Sequence, residues 1–222
     1  VKAYKAARTK ALADGSLGFS GEARLSGALP GGHAGNLHLP LDGNWSSRAG
    51  LSAWRTCTTV RFDRLALANL SLERRALLLC PQPGGAILRA DDRGTRIAAG
   101  TPSLDLAGRL GETPVRITSG PVGFAVPGVL AARSLDVALG PAATASHFRI
   151  ANLDARIGRD VAGRFAGTDV RLAAVPLDVL DASGQWRFAQ GRLTLTGASF
   201  RLEDREALEA KVSGLMIVRC VI

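Results

Sequence analysis

Apolar and polar residues alternate along most of this chain, most clearly between Cys57 and Pro81. Val60 and Phe62 set the pattern, followed by Leu65 and Leu67, then Leu70 and Leu72, then Leu77 and Leu79. A period of two belongs to strands with one buried and one wet face. The phase slips at Asp63-Arg64 and again at Ala68-Asn69, which predicts a bulge and then a bend or turn. Pro81 ends the second strand because it offers no backbone donor.

The strand–turn–strand theme then recurs. Ala23 and Leu25 lead through Pro30-Gly31-Gly32 to Leu37, Leu39 and Leu41, and Gln82-Pro83-Gly84-Gly85 is a clear turn. Leu104, Leu106 and Leu110 are expected to face Val115 and Ile117 across a hairpin at Gly111-Glu112-Thr113-Pro114. Leu135, Val137 and Leu139 stop at Gly140-Pro141, and Phe148 and Ile150 lead on to Leu153 and Ile157. The last hairpin places Trp186 and Phe188 against Leu193 and Leu195 across Gln190-Gly191. Turn signals every 8–12 residues or so are the spacing of an all-β array.

Three stretches break the rhythm. Residues 1–13 are rich in Ala and Lys and lack Gly and Pro, which predicts a short cationic helix. The expected organisation is therefore a helix or linker over 1–14 and a single elongated β-domain over 15–222. Gly120 to Leu130, apolar and punctuated by Pro121 and Pro127, reads as a buried crossing loop, with a flap over an apolar groove as the alternative. Leu202 to Val212 carries Glu203, Asp204, Arg205, Glu206, Glu209 and Lys211 and reads as a short helix or charged loop with a solvated face.

Composition narrows the chemistry. Hydrophobic residues are 46% of the 222, but aromatics only 5%, so the apolar rows are built from Ala, Leu and Val. That favours a smooth aliphatic lining over a platform for stacking bases. The net charge of +9 is carried almost wholly by Arg scattered between strand residues. No helix-borne basic cluster gathers it, and nucleic acid is not an expected partner. No run of 18 apolar residues is present to span a bilayer as a helix. Both ends read as cut from a longer protein.

Catalytic signatures are missing. The sequence has no G-x-S-x-G, P-loop, G-x-G-x-x-G, H-E-x-x-H or C-x-x-C. His33 and His38 stand five residues apart with no acidic or Cys partner close in sequence, so they read as surface residues rather than metal ligands. Acids such as Asp91-Asp92 and Glu203-Asp204 lie beside Arg and point to ion pairs. The expectation is a non-enzyme without metal or cofactor. Cys57 and Cys80 bracket one paired-strand segment; a disulfide between them is favoured over two buried thiols and would suit an oxidising compartment.

Several of these residues together carry a resemblance. They are Cys57…Leu65-x-Leu67…Leu70-x-Leu72…Leu77-Leu78-Leu79-Cys80-Pro81, Leu104-x-Leu106-x-Gly108, and Val175-Pro176-Leu177-Asp178…Gly184-Gln185-Trp186-Arg187-Phe188-Ala189-Gln190-Gly191-x-Leu193-x-Leu195-x-Gly197-Ala198 with Asp204. This set resembles the YdbH branch of the AsmA-like envelope proteins. The resemblance implies an all-β, mainly antiparallel, elongated and curled sheet forming a taco-like groove. It also implies a periplasmic protein, tethered to the inner membrane when full-length, that helps move phospholipid between inner and outer membranes. An outer-membrane partner is possible but nothing in the residues identifies it. Phe62, Leu65, Leu67, Leu79, Leu106, Ile117, Val137, Ile150, Phe188, Leu193 and Leu195, each in phase with its strand's apolar row, are then the candidates to line the lipid groove. The alternative is a structural or assembly module of the envelope with a filled β-sandwich core and no ligand.

Overall fold

A computed structural model describes residues 2–11, 15–29, 31–158, 160–205 and 219–221. Seventeen strands account for nearly all of them, and every registered pairing is antiparallel. The chain divides into two compact units. One comprises 1–102 with 106–112 and 123–127; the other comprises 103–105, 113–122 and 128–222.

In the first unit, β1 (Lys2–Ala11), β2 (Leu17–Leu29) and β3 (Gly32–Ser46) form a meander. The helix expected over residues 1–13 is thus a strand: Lys2 to Ala11 pair with Ser26 to Leu17. Ala and Lys are good helix formers, but propensity yields to tertiary context and ten residues are too few to hold a helix alone, so the open edge of β2 decides the outcome. β3 then forks. Its first half pairs with β5 (Thr58–Leu67), which continues to β6 (Leu70–Leu79) and β9 (Leu104–Leu110). Its second half pairs with β4 (Gly50–Ala53), which continues to β7 (Leu88–Asp91), β8 (Gly94–Thr101) and β11 (Val122–Val126). The stretch from Gly120 to Leu130 is therefore mainly strand rather than crossing loop.

The two branches are tied where Cys80 and Gly100 exchange backbone hydrogen bonds of 2.8 Å. Cys57, just before β5, forms a disulfide with Cys80, just after β6, with their Cα atoms 4.0 Å apart. The predicted turn at Gln82 to Gly85 is closed by Gly85 N–H donating to the Gln82 carbonyl at 2.8 Å. Ala34, Ala53, Phe62, Leu72, Ala86, Ile87, Ala99 and Leu106 are the buried apolar residues of this unit.

The second unit is a longer meander of β10 (Thr113–Ser119), β12 (Gly128–Leu139), β13 (Ser146–Ile157), β14 (Val161–Arg171), β15 (Leu177–Ala189), β16 (Arg192–Asp204) and β17 (Arg219–Val221). The β15–β16 hairpin turns on Gln190 and Gly191, both at positive φ, as a tight two-residue hairpin requires. β16 extends to Asp204, so the first residues of the expected charged loop are strand. Glu206 to Val212 lie outside the described residues. The buried apolar residues here are Val115, Ala132, Ala155 and Ala182, a small set for so many strands.

Candidate functional site

The candidate surface of each unit is one face of its sheet, and a repeated irregularity keeps that face mostly apolar. In eight strands the apolar row steps once by three residues instead of two. The steps run Ala34 to Leu37 in β3, Phe62 to Leu65 in β5 and Leu72 to Arg75 in β6. In the second unit they run Ala132 to Leu135, Ile150 to Leu153, Phe165 to Thr168, Val179 to Ala182 and Leu195 to Ala198. Both residues inside a step turn away from the row, as at Asp63-Arg64, Glu73-Arg74 and Ala151-Asn152, where both are exposed.

The steps lie side by side on neighbouring strands, so the registers β3–β5, β5–β6, β12–β13 and β13–β14 run through without a shift. Left-handed residues occupy many of them: Asn36, Ser134, Gly167, Asp181 and Gly197 have φ between 49° and 59°. Asn, Asp and Gly tolerate that region best. A row of aligned bulges bends and twists the strands it crosses. Without the step, a strict alternation would put Leu65 on the opposite face from Phe62.

Cross-strand partners then show which residues share a face. In the first unit, Val60 faces Leu77 and Phe62 faces Arg75, with Leu79 next along the same β6 row opposite Thr58; beyond the step, Ala34 leads to Leu65 and Gly32 to Leu67, and these to Leu72 and Leu70. Phe62, Leu65, Leu67 and Leu79 therefore share one face, and Leu106 continues the β9 positions, Leu110 and Gly108, that pair with Leu70 and Leu72. In the second unit Ile117 faces Val137, Val137 faces Phe148, and Leu135 faces Ile150; Phe188 faces Val161 and Leu193, and Leu195 faces Trp186. The eleven positions thus fall on one apolar face within each unit.

These faces are only partly covered. Phe62 is 2% exposed and Leu106 9%, but Leu67 is 42%, Phe188 47%, Leu195 53% and Leu193 60% exposed. Among the described residues no large side chain is below 2%. A stripe of this kind exceeds the scattered apolar residues any surface carries.

The opposite faces are laced with charge. In the second unit Asp136 meets Arg149 at 3.4 Å and His147 Nδ1 at 3.3 Å, and Arg133 meets Asp154 at 2.9 Å. Asp178 is buried, accepts from Arg171 Nη2 at 2.9 Å, and lies 3.5 Å from Arg205 Nε. Arg205 also donates to the carbonyls of Leu172 and Val175, so Asp178 pins the loop that joins β14 to β15. This is the physical content of the Val-Pro-Leu-Asp motif. Asp178→Ala should cost about 1–3 kcal/mol in urea denaturation, since a buried carboxylate whose Oδ2 accepts from both Nε and Nη2 of Arg171 is lost. An unchanged midpoint would contradict that role.

In the first unit Glu22 lies 3.0 Å from His38 Nε2, across neighbouring strands. No local pattern points to this partner, because the two stand 16 residues apart. The His38 hydrogen bond, and then its charge, hold the Glu22 carboxyl below its ordinary value, with smaller help from Arg24 and Arg61. Asp63 is lowered chiefly by the Asn36 hydrogen bond, with Arg74 adding to it. Both folded values lie below the unfolded ones, so whatever stability these groups contribute is present above the ordinary carboxylate range. It is lost as pH falls through the depressed values. Carboxyl titration by NMR should find both midpoints low, and His38→Ala should return Glu22 towards its ordinary value; an unmoved Glu22 would contradict the assignment.

Among the described residues no group of His, Cys, Asp and Glu is arranged to hold a metal ion, and no helix is long and apolar enough to cross a membrane. The described strands make this an all-β protein, mainly antiparallel, whose sheets keep one aliphatic face and one charged face. Residues 3–218 match the sequence model of the YdbH-like family, described as intermembrane phospholipid transport protein YdbH. The chain belongs to that family, and its role is accordingly one of lipid transport. No curated protein and no solved structure matches it.

Proposed function

We propose that this chain is a segment of a periplasmic bridge-like protein that binds phospholipid acyl chains along its apolar faces and helps pass lipid between inner and outer membranes. The full-length protein would be tethered to the inner membrane. The observation that carries this reading is the half-exposed apolar row, running from Leu37 to Leu79 in one unit and from Ile117 to Leu195 in the other.

Burial of acyl chains yields about 0.8 kcal/mol per methylene and has no directional requirement, so a chain can slide along a leucine row without a fitted pocket. Head groups would stay in water at the rim. The alternative, a module with a filled sandwich core, asks for large apolar side chains sealed from solvent. The exposure of Phe188, Leu193 and Leu195 favours the open face.

Native mass spectrometry of the chain purified from cells tests the reading. Bound phospholipid, lost on delipidation and regained from vesicles, is the expected result. A mass equal to that of the protein alone under every condition would count against it.

A further inference from the structure

The geometry points to a phosphate-type oxyanion site on the polar face of the first unit, on the side away from the apolar row and independent of the lipid reading. Three successive strands place Arg24, His38 and Arg61 directly opposite one another, and the next partner in the row is Ala76. Neighbouring strands lie about 4.8 Å apart, so the two arginines flank the imidazole at roughly 10 Å from each other. The alanine, too short to fill its place, leaves a depression of about 680 Å³ over which these side chains stand.

Like charges gathered in one cross-strand row destabilise a sheet unless something of opposite sign joins them. The nearby acids are already engaged. Glu22 is bonded to His38, and Asp63 is held by Arg74 at 2.7 Å and by Asn36 at 2.9 Å. Arg24 and Arg61 act on Glu22 only through weaker, longer-range attraction, and neither is within ion-pair distance of a carboxylate among the described residues. Elsewhere in the sheets, arginines opposite an acid pair with it, as Arg149 does with Asp136 and Arg171 with Asp178. Two planar guanidinium forks with an imidazole between them suit a tetrahedral oxyanion, which can take paired N–H donors from each side. The shared chemistry is the phosphate group, either free in solution or in the head group of an anionic lipid at a membrane surface.

Backbone NMR with inorganic phosphate, against chloride at matched ionic strength, reads the first source. Saturable shifts at Arg24, His38 and Arg61 are expected, weakened at least tenfold in Arg24→Gln/Arg61→Gln and unchanged in the turn variant Arg48→Gln/Arg93→Gln. Glu22→Gln, which removes a competing anion, should tighten binding several-fold. Co-sedimentation with phosphatidylglycerol vesicles, against phosphatidylcholine vesicles, reads the second source through the same variants. Dependence on Arg24 and Arg61 in the phosphate arm alone assigns a free anion, and in the vesicle arm it assigns a head group. Binding that is absent in both arms, or equal in the Arg24→Gln/Arg61→Gln protein, overturns the site.

Discussion

Leu195→Asp should fold as the parent protein does yet lose contact with phospholipid, whereas Leu106→Asp should unfold. The two positions are equivalent in the sequence, each in phase with a leucine row, and the structure separates them. Leu195 is 53% exposed on β16, so a carboxylate there keeps its water while the face is empty. When acyl chains lie over it, that water is lost, at a cost of several kcal/mol in apolar surroundings. Leu106 is 9% exposed, and a charge there has neither water nor partner. A loss of about 3–5 kcal/mol would be a large part of the ~5–15 kcal/mol that domains of this kind possess. Thermal melts and lipid extraction of both variants check the contrast. Collapse of Leu195→Asp would show that its face is sealed, and normal lipid content in a folded Leu195→Asp would remove the row from the lipid path.

Loss of the disulfide is the other large effect. Cys57 and Cys80 close a loop of 23 residues, which in the chain-entropy model is worth about 3 kcal/mol. Their position adds to that. Cys80 is the residue through which β6 meets Gly100, where the two branches of the first unit are tied, and Phe62 is buried within the strand pair that the bridge closes. Cys57→Ser/Cys80→Ser should therefore lower the urea midpoint, and reduction of the parent protein should lower it equally. An unchanged midpoint under both treatments would mean that the strand pair is held by its own hydrogen bonds alone.

Much of this arrangement can be read in the residues. The turns at Gln82 to Gly85 and at Gln190-Gly191 are legible because Gly and Pro permit few alternatives. The slip at Asp63-Arg64 is legible because two charged residues in succession interrupt an otherwise strict alternation. Its counterparts in the second unit are harder to see. Ala151-Asn152 and Ala166-Gly167 are small or neutral, and a three-residue step between Ile150 and Leu153 looks like a weak strand until its neighbours show the same step. Residues 1–13 read as helix from local propensity alone, which cannot reveal the edge of β2 that pairs Lys2 to Ala11. The pairing of Glu22 with His38, and that of Asp178 with Arg205 27 residues later, depend on strand register, which no local pattern encodes.

If phospholipid travels along one face of these sheets, site-specific photo-crosslinking on the last hairpin will show which face. A photoreactive residue placed in turn at Arg187, Phe188, Leu193, Thr194 and Leu195 samples both faces of β15 and β16 within a few ångströms. Crosslinked phospholipid is expected from positions 188, 193 and 195 and none from 187 and 194. Equal crosslinking from both faces, or none from the apolar one, would contradict it.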